Sequence, residues 1–301
     1  MQARVSQCQG LRSHMEDTYS IDRIDRTTVV GVYDGHGGSR VSQHLSSVFG
    51  RRLAALESPG SHSLRRAFLD ADEDIVRVLP EGQGSTACVA VVRPCEVWFV
   101  NCGDSLACVG YRGGGVEMAS YEHKVSNELA RLRARGAEIT YGDGTARIHG
   151  CLNVSRSFGD ARWKRFVTAA PYVRAFKRAS IEYAVLATDG VWDVMDAHDV
   201  DRIVRSRPRA AAATDILREA RRRRSGDNMT AAVVYFVPDS VDVDSKARRG
   251  ASADNNAERP RIQQSHSKYP KAKRISLCHT RPSERIRWPV PRRRRLPPPL
   301  P

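Results

Sequence analysis

Apolar residues recur at positions 41, 45, 48, 49, 53 and 56, and again at 64, 68, 71, 75, 78 and 79. This three-to-four spacing gathers them on one stripe of a helix, so two consecutive amphipathic helices are predicted, over about 39–57 and 62–79. The pattern then changes to short apolar runs: "STACVAVV" (85–92), "EVWFVNCG" (96–103) and "LACVGYR" (106–112), broken by Arg93-Pro94 and Gly103-Asp104-Ser105. These predict strands joined as an antiparallel meander. Ser126 to Arg135, stopped by Gly136, predicts a short helix with Leu129 and Leu132 on one face. Strands return at "YAVLAT" (183–188) and "MTAAVVYFV" (229–237). Between them the pattern predicts helices over about 196–206 and 212–223, the first opened by Asp196 with Asp199 in its first turn. Strands grouped as hairpins, not alternating singly with helices, predict an α+β domain. Antiparallel sheets are covered by helices, in place of a doubly wound parallel sheet.

From Pro238 onward the periodic runs stop, and Ser, Pro, Arg and Lys take over, ending in "PVPRRRRLPPPLP". A domain over 1–238 and a disordered basic tail over 239–301 are expected. Charge follows the same division. Of 49 Lys+Arg and 34 Asp+Glu, 16 and 6 lie in 239–301, a net of +10, leaving 33 and 28 in the body, a net of +5. The basic character therefore speaks of the tail, for which polyanions or import factors are the expected partners. The seven cysteines are odd in number and form no Cys-x-x-Cys pair, which argues against a disulfide framework or a zinc site. No uncharged apolar run approaches the length of a membrane span, and the opening residues suggest no secretory leader. A cytoplasmic or nuclear monomer is expected.

The candidate chemistry lies at the ends of the apolar runs. In "VVGVYDGHGG" (29–38) a run closes on Asp34, Gly35 and His36. Glu16 and Asp17 precede "TYSI", Asp104 sits between two runs, Asp189 follows "AVLAT" with Asp193 one helical turn on, and Asp227 precedes "NMTAAVV". Singly, each is as well explained as a turn or helix-cap residue. Together they are acids presented by several strand ends, and converging carboxylates stay ionised together only around a shared cation. An all-oxygen set selects hard ions such as Mg²⁺ or Mn²⁺. Beside Asp34, a glycine leaves the Gly35 carbonyl free to approach such an ion. His36 is a candidate proton donor or a turn residue. Arg12, four residues before Glu16, is a candidate anion clamp or an ordinary surface cation.

"LRSHMED", "VYDGHGG", "GSTACVAVV", "VNCGDSLA", "GCLNVSRSFGD", "LATDGVWDVM" and "SGDNMTAAVV", in this order, resemble the metal-dependent serine/threonine phosphatases of the type 2C (PPM) family. The resemblance runs from about Val5 to Val237 and implies a β-sandwich flanked by helix pairs, with two principal Mg²⁺ or Mn²⁺ ions at one end. By position it implies that Asp34 bridges both ions. Glu16 and the Gly35 carbonyl would serve one, and Asp189 and Asp227 the other. Asp17 would hold metal-bound water, while Asp104 and Asp193 would serve a weaker third ion. Arg12 would bind the substrate phosphate and His36 would be the general acid. The implied reaction is hydrolysis of phosphoserine and phosphothreonine in proteins by a bridging hydroxide, without a covalent phosphoenzyme. A pseudophosphatase-like binding scaffold on the same fold is the alternative. No cysteine opens a Cys-x5-Arg loop.

Departures from the family pattern are Leu106, where arginine is usual, and Glu122-His123-Lys124-Val125 in place of Asp-His-Lys-Pro. A short basic stretch after Asp160 is expected to stand where the family carries a substrate-flanking flap.

Overall fold

The computed structural model of the chain describes residues 1–236. Its centre is a pair of five-stranded antiparallel sheets. One runs in the order Gln2–Cys8, Met229–Tyr235, Ile181–Ala187, Leu106–Tyr111, Val116–Met118. The other runs Tyr172–Lys177, Glu96–Cys102, Ala87–Val92, Thr27–Tyr33, Thr18–Ile24. The central strands are apolar on both faces because both faces are covered. In Thr27–Tyr33, Val30 and Val32 point between the sheets, toward Ala107, Leu186 and Val234. Val29 and Tyr33 point the other way, onto helices Arg40–Ala54 and Ser61–Val78. Helices Ala197–Ser206 and Ala212–Arg222 cover the opposite sheet through Val200, Val204, Ile216 and Leu217. The α-β-β-α layering expected from the sequence is present, and each helix boundary lies within a few residues of its periodic pattern.

Phe49 meets Phe68 and Phe158 edge-on, and the latter two tilt against each other, with ring centroids 4.9–5.4 Å apart, filling the layer between the first helix pair and its sheet. Asp196 caps its helix through the Asp199 amide, and Asp199 reciprocates, which is why the chain turns there.

One expectation is corrected. The runs at 87–92 and 96–102 pair with each other, but Leu106–Tyr111 crosses to the other sheet and pairs with Ile181–Ala187. The link is not a two-residue hairpin turn. Gly103 takes a positive φ of 104°, and the Asn101 side-chain amide binds the carbonyls of Gly103, Ser105 and Tyr121. The bend is thereby locked and directs the chain across the seam. The sequence pattern also left out three features. These are the edge strands Gln2–Cys8 and Tyr172–Lys177, whose residues are only half-covered, and the hairpin Ile139–Gly142 with Thr145–Ile148. Cys88, Cys102 and Cys108 are buried thiols, whereas Cys95 and Cys151 are exposed, and no disulfide forms among the described residues. Among the described residues no helix is long and apolar enough to cross a membrane. The basic tail predicted over 239–301 lies outside the described residues.

Residues 125–167 build a small separate core from Val125, Leu132, Ala146, Ile148, Phe166 and Val167. Glu128 ties its two flanks together. Its carboxylate accepts from Arg156 Nη2 at 2.5 Å and Nε at 3.1 Å, from Arg131 Nη2 at 2.7 Å and from Ser155 Oγ at 2.8 Å. Burial works against ionisation there, yet the Arg156 and Arg131 hydrogen bonds hold the carboxyl down at about 2. Beside it, burial and the Arg156 charge push the His123 imidazole down to about 4. Both groups bind protons more weakly folded than unfolded, so both withdraw stability on acidification. The His123 contribution declines from about pH 6.5 to 4 and the Glu128 contribution from about pH 4.5 to 2. The raised cavity carboxyls oppose this by gaining stability on acidification, so the two contributions are read as differences: the urea midpoint of the unaltered chain minus that of His123→Asn should fall below pH 6.5. Glu128→Gln, which strands two guanidiniums, should cost about 3–5 kcal/mol at neutral pH and flatten the dependence below pH 4.5. A difference from His123→Asn that stays constant between pH 7 and 4 would contradict the assignment.

Candidate active site

The crossing strands bring the acids to one end of the sandwich. Asp34 follows strand Thr27–Tyr33 of one sheet, Asp189 follows Ile181–Ala187 of the other, and Asp104 sits in the bend between them. Each offers a carboxylate oxygen within 4.8 Å of the other two. With Glu16, Gly35, His36, Arg12 and Asp227 they line a polar cavity of about 270 Å³. Asp17 lies behind this wall, buried, its Oδ2 accepting from Thr230 Oγ1 at 2.8 Å and Thr188 Oγ1 at 2.9 Å.

Burial, and then mutual repulsion, push these carboxyls up. Asp34 is raised by burial and by the charges of Asp189, Asp17 and Asp104; Asp104 by burial and Asp189; Asp189 by burial and Asp193. Asp17 is raised mainly by burial, against its threonine hydrogen bonds. Such a cluster is costly unless positive charge enters it. Two buried oxygens, Asp17 Oδ1 and Asp104 Oδ2, have no hydrogen-bond partner. An all-oxygen set with orphaned buried acceptors fits a hard divalent cation.

The backbone explains the glycine beside Asp34. A Cβ on Gly35 would stand 2.7 Å from the Glu16 carbonyl and 2.8 Å from Ser42 Oγ. Glu16 is held against this strand, its carbonyl accepting from Ser42 Oγ at 2.6 Å and its amide donating to Asn228 Oδ1 at 2.8 Å. Thr86 braces the floor, with its hydroxyl 2.6 Å from Ser105 Oγ and accepting from the Asp34 amide at 3.2 Å.

His36 and Arg12 each have a carboxylate partner. His36 Nε2 lies 2.7 Å from Asp160 Oδ2, and Ser157 Oγ donates to the same oxygen. Burial alone would lower the imidazole's proton affinity, but the hydrogen bond and charge of Asp160 outweigh it and raise the pKa. Gly84 borders the pair, and a Cβ there would fall onto both the Asp160 carboxylate and His36 Nε2. Arg12, well exposed, binds Asp227 Oδ2 through Nη2 at 2.7 Å.

Of the residues singled out in the sequence, Asp34, Gly35, Asp104, Asp189, Asp227, Glu16, His36 and Arg12 share the cavity. Asp17 supports it from behind. Asp193 stands outside it, half-exposed, its Oδ1 2.7 Å from Lys124 Nζ. Within the altered stretch 122–125 it is Lys124, shared with the family pattern, that meets Asp193, and the substituted Glu122 lies 3.2 Å from the same ammonium. Leu106 is buried, and its carbonyl accepts from the Trp192 indole at 3.1 Å. The segment leaning over the cavity is not the basic stretch after Asp160, which ends in the edge strand Tyr172–Lys177. It is the hairpin strand Thr145–Ile148 and the loop after it, supplying Arg147, Asn153 and Val154. Sequence reasoning passed over Asp160, although its Gly-Asp pair repeats the acid-beside-glycine signal. It also passed over Asn228, whose side chain joins Glu16, Gln9 and His14.

A family model described as Protein phosphatase 2C matches residues 1–229. The chain is 34% identical over 242 residues to the rice protein named "Probable protein phosphatase 2C 59", spanning 76% of this chain and 73% of that one. It is 33% identical over 246 residues to an Arabidopsis thaliana protein of the same name, covering 77% and 78%. Among solved structures, the Toxoplasma gondii serine-threonine phosphatase 2C superposes with a TM-score of 0.66 at 22% identity, over 78% of this chain and 94% of that one. A fold, an acidic cavity and a sequence match that coincide over the same residues lead to one conclusion: the chain belongs to the protein phosphatase 2C family.

Proposed function

We propose that the chain hydrolyses phosphoserine and phosphothreonine in proteins, and that its acidic cavity works with Mg²⁺ or Mn²⁺. The observation that carries this is the convergence of Asp34, Asp104 and Asp189 within 4.8 Å, beside a guanidinium and an imidazole. Asp34, Asp189 and Asp104, with Glu16, Asp227 and the Gly35 carbonyl, are the groups to hold two ions, with Asp17 behind them and Asp193 available to a weaker third. When bound, such ions supply Lewis acidity, which makes water a usable nucleophile near neutral pH and offsets phosphoryl charge.

The chain's own groups do the rest. Arg12, at the exposed rim, presents a planar fork that suits two phosphoryl oxygens, and it exchanges Asp227 for the incoming anion. His36 has Nε2 committed to Asp160, which leaves Nδ1 as the nitrogen to hand a proton to the departing serine or threonine oxygen. Asp160 keeps the ring oriented and charged for that transfer. No cysteine lines the cavity, the Thr86 hydroxyl is engaged with Ser105 and His36 Nε2 is held by Asp160; with the carboxylates given over to the cations, attack by water without a covalent phosphoenzyme is the reaction proposed.

The test is release of phosphate from a phosphothreonine peptide with added Mn²⁺, with Mg²⁺ and with EDTA. Turnover should require a divalent ion and vanish with the chelator. Hydrolysis indifferent to EDTA would overturn the metal role. Tight phosphopeptide binding without turnover under any ion would instead mark a binding scaffold.

A further inference from the structure

At the opposite end of the sandwich, Arg23, Arg26, Arg93 and Arg178 line a second cavity, of about 330 Å³, with Thr28 and Val92 among its walls. Among the described residues no carboxylate lines it. Two of the arginines donate to main-chain carbonyls, Arg93 Nη1 to Glu57 O and Arg178 Nη1 to Pro94 O, both at 3.0 Å. Arg23, Arg26 and Arg93 form no ion pair among the described residues. Carbonyls fix a guanidinium without cancelling its charge, so Arg23, Arg26 and Arg93 concentrate positive charge there with no counter-ion among the described residues.

Thr28 and Val92 stand at the far ends of strands whose near ends, Tyr33 and Ala87, adjoin Asp34 and Thr86 of the acidic cavity. Five residues at about 3.3 Å each place the two cavities roughly 17 Å apart. Strand Thr18–Ile24 runs between them along the edge of its sheet: Thr18 opposes Tyr33 at one end and Ile24 opposes Thr27 at the other. By the two-residue period Tyr19, Ile21 and Arg23 share one face of this strand. All three are exposed, Tyr19 at 43% and Ile21 at 47%. Ser20 and Asp22 face the helix at Gly50 instead. An unpaired edge with two exposed apolar side chains, ending in an arginine cavity, suits an extended acidic peptide. Nucleic acid is less well served, because no aromatic ring lines the cavity on which a base could stack.

We propose that this edge docks the phosphoprotein substrate: an extended segment lies along Thr18–Ile24, and a carboxylate- or phosphate-bearing residue about six positions from the target seats among Arg23, Arg26 and Arg93. The proposal rests on the phosphatase reading above and adds a specificity site to it.

The test uses the full chain with Mn²⁺ and phosphothreonine peptides carrying three glutamates centred about six residues to either side of the phosphothreonine, each against its glutamine counterpart. For one polarity, at about 50 mM salt, the glutamate peptide should have about tenfold higher kcat/KM, residing in KM. Arg26→Ala combined with Arg93→Ala should bring that ratio to about one, with turnover of the glutamine peptide and of p-nitrophenyl phosphate unchanged. Tyr19→Ser should raise KM for both long peptides and leave p-nitrophenyl phosphate unaffected. A ratio near one in the unaltered chain, or one that survives the double substitution, overturns the proposal. So does single-stranded nucleic acid displacing the glutamate and glutamine peptides equally. Fluorescence anisotropy with non-hydrolysable phosphonate peptides reads the same ratio in Kd. Failure of all hydrolysis would sink the phosphatase reading, while an unchanged Kd ratio would sink the docking site.

Discussion

Asp34→Asn should lose roughly a thousandfold or more in turnover while the folded protein becomes more stable. The two effects have one origin. Asp34 is buried and raised by Asp189, Asp17 and Asp104 around it. An acid whose pKa is raised on folding subtracts stability at neutral pH, because the folded state must either carry the strained charge or take up a proton. Asparagine keeps the shape and removes that cost, but it also removes the charge that makes the cavity a cation site. Turnover with saturating Mn²⁺, alongside thermal unfolding in EDTA, checks both halves. Asp189→Asn should behave alike, since its carboxyl is raised by burial and the neighbouring acids. A folded Asp34→Asn protein with near-normal activity would remove Asp34 from the centre. Lost activity with lost stability would mean that the cluster is a structural network.

His36→Gln should separate substrates by their leaving groups. Phosphoserine and phosphothreonine peptides leave as alkoxides that need a proton, and their turnover should fall about a hundredfold or more. Aryl phosphates leave without that help and should slow much less. Asp160→Asn keeps the imidazole but withdraws the charge that raises its proton affinity, so it should reproduce the same substrate order with smaller losses. Gly84→Ala should mimic His36→Gln, because its Cβ would occupy the space where His36 and Asp160 meet. Steady-state rates on a phosphothreonine peptide and on p-nitrophenyl phosphate decide it. Equal slowing of both by His36→Gln would leave His36 a positioning residue. Arg12→Ala, by contrast, should weaken both substrates through KM.

Much of this was legible in the chain because the rules that bury a strand are local. Val29 to Tyr33, apolar at every position with Asp34 next, announces a doubly covered strand with its end at a polar opening. What escaped was non-local. Leu106–Tyr111 has the same composition as the strands before it, and only the Asn101 side chain, bonded to three carbonyls, reveals that the chain changes sheets. Gln2–Cys8 and Tyr172–Lys177 are edges whose half-exposed faces dilute the apolar alternation. Asp160 is 124 positions from His36, a separation across which no periodicity speaks. Asp193 shows the converse. Its spacing from Asp189 is helical and was read correctly, but the side chain's direction follows Lys124, whose part in the site nothing in the spacing announced.

The bend at Gly103 has a wider consequence. By sending one strand across the seam, it makes each half of the molecule contribute acids to a single point: Asp34 from one layer, Asp189 and Asp227 from the other, Asp104 from the crossing itself. Left to themselves these charges act as a wedge, pushing the layers apart at their open end. Neutralised from within, the same atoms become a rivet joining the layers. On the proposed metal reading, the mechanical stiffness of the whole sandwich would follow the occupancy of that single cavity at its tip.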